Sequence, residues 1–133
     1  MKNSLIVLLT ISLWSCKTKV PATSDLPSNT DKVLVGKLVV SALCSHFIAV
    51  VESGQVDTSR VTTWKDESRN ATFNNAFTVG TRCNFASLGL KEGDRFSFEL
   101  SDNEIKETCA VCMAYYPVPD KVLYLRNVKK LAP

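Results

Sequence analysis

The stretch LKEGDRFSFEL, residues 90–100, decides the fold class of this chain. Gly93 lies in a polar turn and is free to take a positive φ there. After the turn, Phe96, Phe98 and Leu100 alternate with polar residues. This period of two predicts a β-strand with one buried face and one solvated face.

Working outward, the rest of the domain has the same strand-like character. Runs rich in β-branched and apolar residues, separated by short polar breaks, predict further strands at residues 33–41, 46–52, 61–64, 76–79 and 122–128. Residues 68–72 are expected to form a loop. No helix longer than about two turns is expected, and a short one is placed at residues 87–90.

Five or six strands in about a hundred residues predict an all-β fold. A small Greek-key barrel of the OB type suits this number of strands, because closing the sheet removes the apolar edges that would otherwise aggregate. An open sandwich is the alternative.

The beginning of the chain has the features of a bacterial lipoprotein signal. Lys2 precedes the apolar segment 5–14, and Ser15 stands directly before Cys16, in the order of a lipobox. Ten helical residues rise only about 15 Å, too little to cross a ~30 Å hydrocarbon core. Bulky Trp14 departs from the usual pattern, and the alternatives are an ordinary secretory signal or a retained anchor helix.

These features predict three regions: a signal peptide at residues 1–15, an acylated Cys16 with a flexible tether through residue 31, and a barrel domain at residues 32–133. The tether is rich in Pro, Ser, Thr and Asp, a composition typical of linkers. Acylation makes the lipid bilayer a partner of the chain. No aspartate stands directly after Cys16 and no acidic run follows it, so we expect the periplasmic leaflet of the outer membrane.

The charge of the domain excludes one class of partner. Residues 32–133 contain thirteen Lys and Arg against eleven Asp and Glu. Nucleic-acid binding needs a basic field or stripe, which so balanced a composition does not predict.

Four cysteines remain after Cys16, and an even number in an exported domain predicts two disulfides. A local bridge between Cys109 and Cys112 needs a turn, because residues three apart on a strand lie ~10 Å apart. The sequence around them has no Gly or Pro to make one. In a barrel of this type the first strand pairs with a later one, which makes Cys44–Cys112 the first choice and Cys83–Cys109 the remainder. The alternative is Cys109–Cys112 with Cys44 bonded to Cys83.

Cys109-Ala110-Val111-Cys112 is also the one motif that could carry chemistry. A thiol oxidoreductase places such a pair at the start of a helix, and no helix is expected after Cys112. A structural zinc site usually needs a second close pair, although His46 could supply a spare ligand. We expect neither an enzyme nor a metal or other cofactor, and keep a thiol-redox or metal-binding lipoprotein as the alternative.

Aromatic residues supply the candidates for a ligand face. OB barrels bind ligands on one face of the sheet and the loops beside it, and aromatic rings there stack on sugars or hold peptides. Trp64, Tyr115 and Tyr116 are the candidates, with core packing as the competing interpretation. An envelope protein or a glycan is the expected ligand of this binding or structural module.

Four short motifs, at Cys44, residues 83–85, residues 90–94 and residues 109–117, resemble those of small, uncharacterised OB-like lipoproteins of bacteroidete bacteria. The resemblance spans most of residues 33–128 and implies an OB-like fold and an envelope location, without an activity.

Overall fold

The computed structural model describes residues 32–110 and 112–133. The predicted signal peptide, Cys16 and the tether lie outside the described residues. The described chain forms six strands: β1 Val33–Ala42, β2 His46–Ser53, β3 Thr62–Asp66, β4 Ala71–Val79, β5 Arg95–Ser101 and β6 Val122–Lys130. One short helix, α1 Arg82–Ser87, joins β4 to β5, and 3-10 turns occupy Leu43–Ser45 and Thr58–Arg60.

Five of the strands close into a ring. β1 pairs with β2 on one side and β5 on the other, β5 continues to β6, and β4 joins β6 to β2. Only the β4–β6 pair is parallel. β3 stands outside the ring and pairs with the first part of β4. The prediction of a small all-β barrel of five to six strands is confirmed.

The core is built by the alternation that the sequence shows. Leu34, Leu38 and Val40 point inward from β1. Phe96 and Phe98 point inward from β5, with their ring centroids 5.5 Å apart. A side chain at Gly36 would place its Cβ 2.9 Å from the ring of Phe96, so the packing of these rings requires glycine at that position.

The inward face of β5 continues to Leu100 as predicted, but its burial decreases there. Leu100 is only half-buried, and Ser101 is buried instead. The pairing with β6 shifts register between Ser97 and Glu99, and Leu100 packs against the core from a partly buried position.

Two other local predictions need correction. β4 begins at Ala71, inside the predicted loop 68–72, because Ala71 and Thr72 already pair with β3. The helix lies at Arg82–Ser87 rather than at residues 87–90. Its first N–H groups, those of Cys83 and Asn84, donate to the carboxylate of Glu107 at 2.9 and 3.1 Å, a long-range cap that local sequence does not show.

In the part of the chain that the structure describes, no helix is long and apolar enough to cross a membrane.

Candidate binding groove

Two disulfides attach the long β5–β6 loop, residues 102–121, to the barrel. Cys44 is bonded to Cys112 with the Cα atoms 4.9 Å apart, and Cys83 is bonded to Cys109 with the Cα atoms 5.9 Å apart. This is the pairing favoured from the sequence. The two sulfurs of the Cys-x-x-Cys motif are therefore bonded to different parts of the barrel and not to each other.

The first bridge begins in a tight turn between β1 and β2. Cys44 and Ser45 both have positive φ, at 61° and 57°, a conformation that costs about 1–2 kcal/mol per non-glycine residue. The two strands remain paired up to Ala42 and His46, so the turn consists of residues 43–45 alone. The ladder and the bridge together hold this conformation.

A shallow groove lies between the two loops that the Cys44–Cys112 bridge joins. Its volume is about 480 Å³, within the ~300–1,000 Å³ range of ligand sites. The β1–β2 turn forms one side, the β5–β6 loop forms the other, and the β3–β4 turn contributes one side chain. The lining residues are Ser41, Ala42, Leu43, Arg69, Ala114, Tyr115 and Tyr116.

The position of this groove corresponds to a known binding region of the fold. OB barrels bind ligands at the loops that join strands 1 and 2 and strands 4 and 5 of the ring. Here β1 and β2 are the first two strands of the ring, and β5 and β6 are the last two. The groove therefore lies between the two equivalent loops.

Arg69 is held by two carboxylates beside the groove. Its two terminal nitrogens donate to Glu92 at 2.8 and 2.9 Å, and its Nε lies 3.4 Å from Asp66 Oδ2. Glu92 also accepts from the backbone N–H of Ser41 at 2.7 Å. This network connects β1, the β3–β4 turn and the turn before β5.

The two carboxylates are stabilised in their charged form. Hydrogen bonds from Arg69 hold the pKa of Glu92 below its usual value. Burial alone would raise the pKa of Asp66, which is 2 % exposed, but hydrogen bonds from Ser68 and the charge of Arg69 outweigh burial and lower it. Tyr116 adds its hydroxyl, which donates to Asp66 at 3.4 Å.

His46 positions the loop from the opposite side. Its Nε2 lies 3.1 Å from the carbonyl oxygen of Ala114, so Nε2 carries the proton that this contact needs. The ring stacks on Tyr116 with centroids 6.2 Å apart. Its Nδ1 is buried without a hydrogen-bond partner among the described residues. These contacts give His46 a place at the rim of the barrel.

The structure separates the three aromatic candidates. Tyr115 and Tyr116 line the groove, and Tyr115 is 89 % exposed. Trp64 instead lies on the β3–β4 hairpin, half-buried and stacked on Phe73 with ring centroids 6.0 Å apart. Of the described residues, those that line the groove do not include Trp64.

No family model, curated protein or solved structure matches this chain.

Sequence reasoning missed two exposed apolar residues, Leu43 in the groove and Met113 next to the bridged Cys112. Leu43 is 80 % exposed and Met113 is 99 % exposed. Together with Tyr115 they are the three most exposed large hydrophobic residues of the described chain, and all lie within three positions of Cys44 or Cys112. We call Leu43, Met113 and Tyr115 the apolar patch. Their one sequence signal was their position beside cysteines that later proved to be bonded.

Proposed function

We propose that the protein is an envelope lipoprotein, anchored in a bilayer through acylated Cys16, whose barrel acts as a binding module. The groove between the β1–β2 turn and the β5–β6 loop is the proposed binding site. The apolar patch carries this proposal. Two of its members, Leu43 and Tyr115, line the groove together and are 80 % and 89 % exposed. Large exposed apolar patches on soluble monomers usually have a binding role.

The disulfide beside the patch supports a binding role further. The β5–β6 loop has no helix or strand in its described residues, and Cys112 ties it to the β1–β2 turn. Such a bridge lowers the entropy that loop side chains lose when a ligand orders them. A groove built from two loops is thereby preorganised for binding.

The same bridges argue against the thiol-redox alternative. A dithiol centre needs Cys109 and Cys112 to exchange between a mutual bond and two free thiols. Here each sulfur is bonded to a distant segment. Both bridges have the long-range pattern of structural disulfides in exported domains, which is compatible with an oxidising envelope compartment.

The proposed acylation of Cys16 leads to a first prediction. Cells that produce the chain should incorporate radiolabelled palmitate into it, and Cys16→Ser should abolish the label, because only this cysteine follows the lipobox. A matched control is Ser15→Ala, which retains a small residue before the cysteine and should retain the label. Label that persists in Cys16→Ser would contradict acylation at this sulfur.

The proposed binding role leads to a second prediction, on the size of the complex that contains the chain. When the envelope is solubilised in mild detergent, the wild-type chain should elute on gel filtration in a larger complex than the Leu43→Ser/Tyr115→Ser variant. Both side chains are exposed, so their replacement leaves the core intact. Leu88→Ser removes a 37 %-exposed leucine outside the groove and should elute as the wild type does. Identical elution of all three proteins would contradict a binding role for the groove.

A further inference from the structure

We propose that a second pocket, between helix α1 and strand β6, binds a small monocarboxylate with an apolar body. This site is separate from the groove, and the inference does not depend on the proposed binding role of the groove. Three observations support it: a β-bulge that turns consecutive residues of β6 toward one pocket, the aliphatic wall of that pocket, and an arginine there that forms no ion pair with the other described residues.

The pocket lies where α1 and the β5–β6 loop meet the second half of β6. Its volume is about 400 Å³, within the ~300–1,000 Å³ range of ligand sites. Residues at the end of α1 form one side, residues 125–128 of β6 form the other, and Ile105 of the β5–β6 loop also contributes. The pocket shares no lining residue with the groove.

A β-bulge explains how four consecutive residues of one strand line the same pocket. In a regular strand, successive side chains point to opposite faces, so only two of the four would face one side. Ser97 of β5 is opposite Lys129 of β6, and Glu99 is opposite Arg126. β6 therefore has one residue more than β5 between these two pairs. Asn127 lies in this bulge with a φ of 52°. Bulges of this kind re-aim side chains and often lie beside functional sites.

Four of the residues that line the pocket are aliphatic. Leu88, Ile105 and Val128 keep part of their surface exposed to solvent, and Leu125 beside them is buried. Burial of aliphatic surface against a ligand is favourable because it removes that surface from water. This wall therefore favours a ligand with an apolar body.

Arg126 is the one charged side chain among the residues that line the pocket. One of its terminal nitrogens donates to the carbonyl oxygen of Leu100 at 3.3 Å. The ion pairs between described residues do not include Arg126, and Glu99, its partner across the ladder, lies outside the lining. A guanidinium has five N–H donors in a fork that matches a carboxylate. The remaining donors are thus available to a ligand.

Two side-chain amides stand in the same pocket as the arginine, those of Asn84 and Asn127. Asn84 makes its hydrogen bonds to other described residues through its backbone, so its side-chain amide is available to donate to an oxygen atom. One cation balances the single charge of a carboxylate, whereas a phosphate monoester brings about 1.5–2 negative charges. The polar side of the pocket therefore favours a carboxylate over a phosphate.

The test titrates the full-length chain, purified in mild detergent with isotope-labelled methyl groups, with the six-carbon acid hexanoate. NMR follows the methyl signals of Leu88, Ile105 and Val128. Hexanamide has the same apolar body without the charge, and acetate has the charge without that body. We expect saturable shifts with hexanoate and at least about tenfold weaker binding of the other two probes, since each lacks one of the two favourable contacts.

Two substitutions locate the binding site. Arg126→Gln should weaken hexanoate binding about tenfold, because it removes the charged donor, and the exposed position of Arg126 leaves the core intact. Arg82→Gln is the matched control. It removes the same charge from the start of α1, where Arg82 lines a different pocket, and it should bind hexanoate as the wild type does.

The contrary outcomes separate the parts of this inference. Equal binding of hexanoate and hexanamide, or equal binding of hexanoate by wild type and Arg126→Gln, would overturn recognition of a carboxylate. Equal binding of acetate and hexanoate would overturn the role of the aliphatic wall. Methyl signals that shift with none of the probes, or shift without saturation, would overturn the site itself and leave the proposed role of the groove untouched.

Discussion

Replacement of Cys44 and Cys112 together by serine is expected to lower the free energy of unfolding by about 4 kcal/mol. The bridge joins residues separated by 68 positions, and closing so long a loop restricts the unfolded chain strongly. Domains of this size are stable by only about 5–15 kcal/mol. Equilibrium unfolding in urea, followed by near-ultraviolet circular dichroism, measures the loss.

The second bridge is the matched comparison for the first. Cys83 and Cys109 are separated by 26 positions, so their joint replacement by serine should cost about 3.5 kcal/mol by the same chain-entropy argument. The first pair should also affect the groove, because it joins both of its sides. A loss below about 1 kcal/mol for the Cys44/Cys112 variant would contradict the long-range pairing or its entropic role.

Arg69→Met is expected to lower the free energy of unfolding by about 2 kcal/mol. The substitution removes the cation that faces Asp66 and Glu92 and leaves these two carboxylates without an opposite charge. Breaking a fully buried pair costs about 3–5 kcal/mol, but Arg69 and Glu92 are each 39 % exposed, and water compensates part of the loss. Chemical unfolding at pH 7 measures the difference.

Lys65→Met is the matched control for Arg69→Met. It removes the same charge from the same hairpin, but Lys65 pairs with Glu67 on the surface, with the two side chains 51 % and 77 % exposed. Such pairs contribute under ~1 kcal/mol. Equal losses from the two substitutions would show that the network around Arg69 has no special role in stability.

The loss of stability caused by Arg69→Met should become smaller as the pH is lowered. The pKa values of Asp66 and Glu92 are lowered in the folded protein, so their stabilisation is complete above their unfolded values, near pH 4. It is lost as the pH falls through the lower folded values. The difference in stability between wild type and variant should therefore shrink below about pH 4.

Local pattern predicted most of the elements but not their exact bounds. Alternation placed β5 and the β-branched runs placed β1 and β2, because strand formation depends on one face of each run being buried. β4 was predicted too short, because its first residues, Ala71 and Thr72, pair with β3. The helix was misplaced because its first N–H groups depend on Glu107, 23 and 24 positions away.

The sequence by itself determined the all-β class, a count of five or six strands, and the inward face of β5 at Phe96 and Phe98, because burial of alternate side chains is a local property of a strand. Only the tertiary structure brings the residues of the groove together. Leu43, Tyr115 and Arg69 are far apart in sequence, and they meet only because the ring closes and Cys44 bonds to Cys112. The exposure of the apolar patch also follows only from the tertiary structure. Hydrophobic residues next to cysteines are usually expected in the core, and the sequence does not show that these are in solvent.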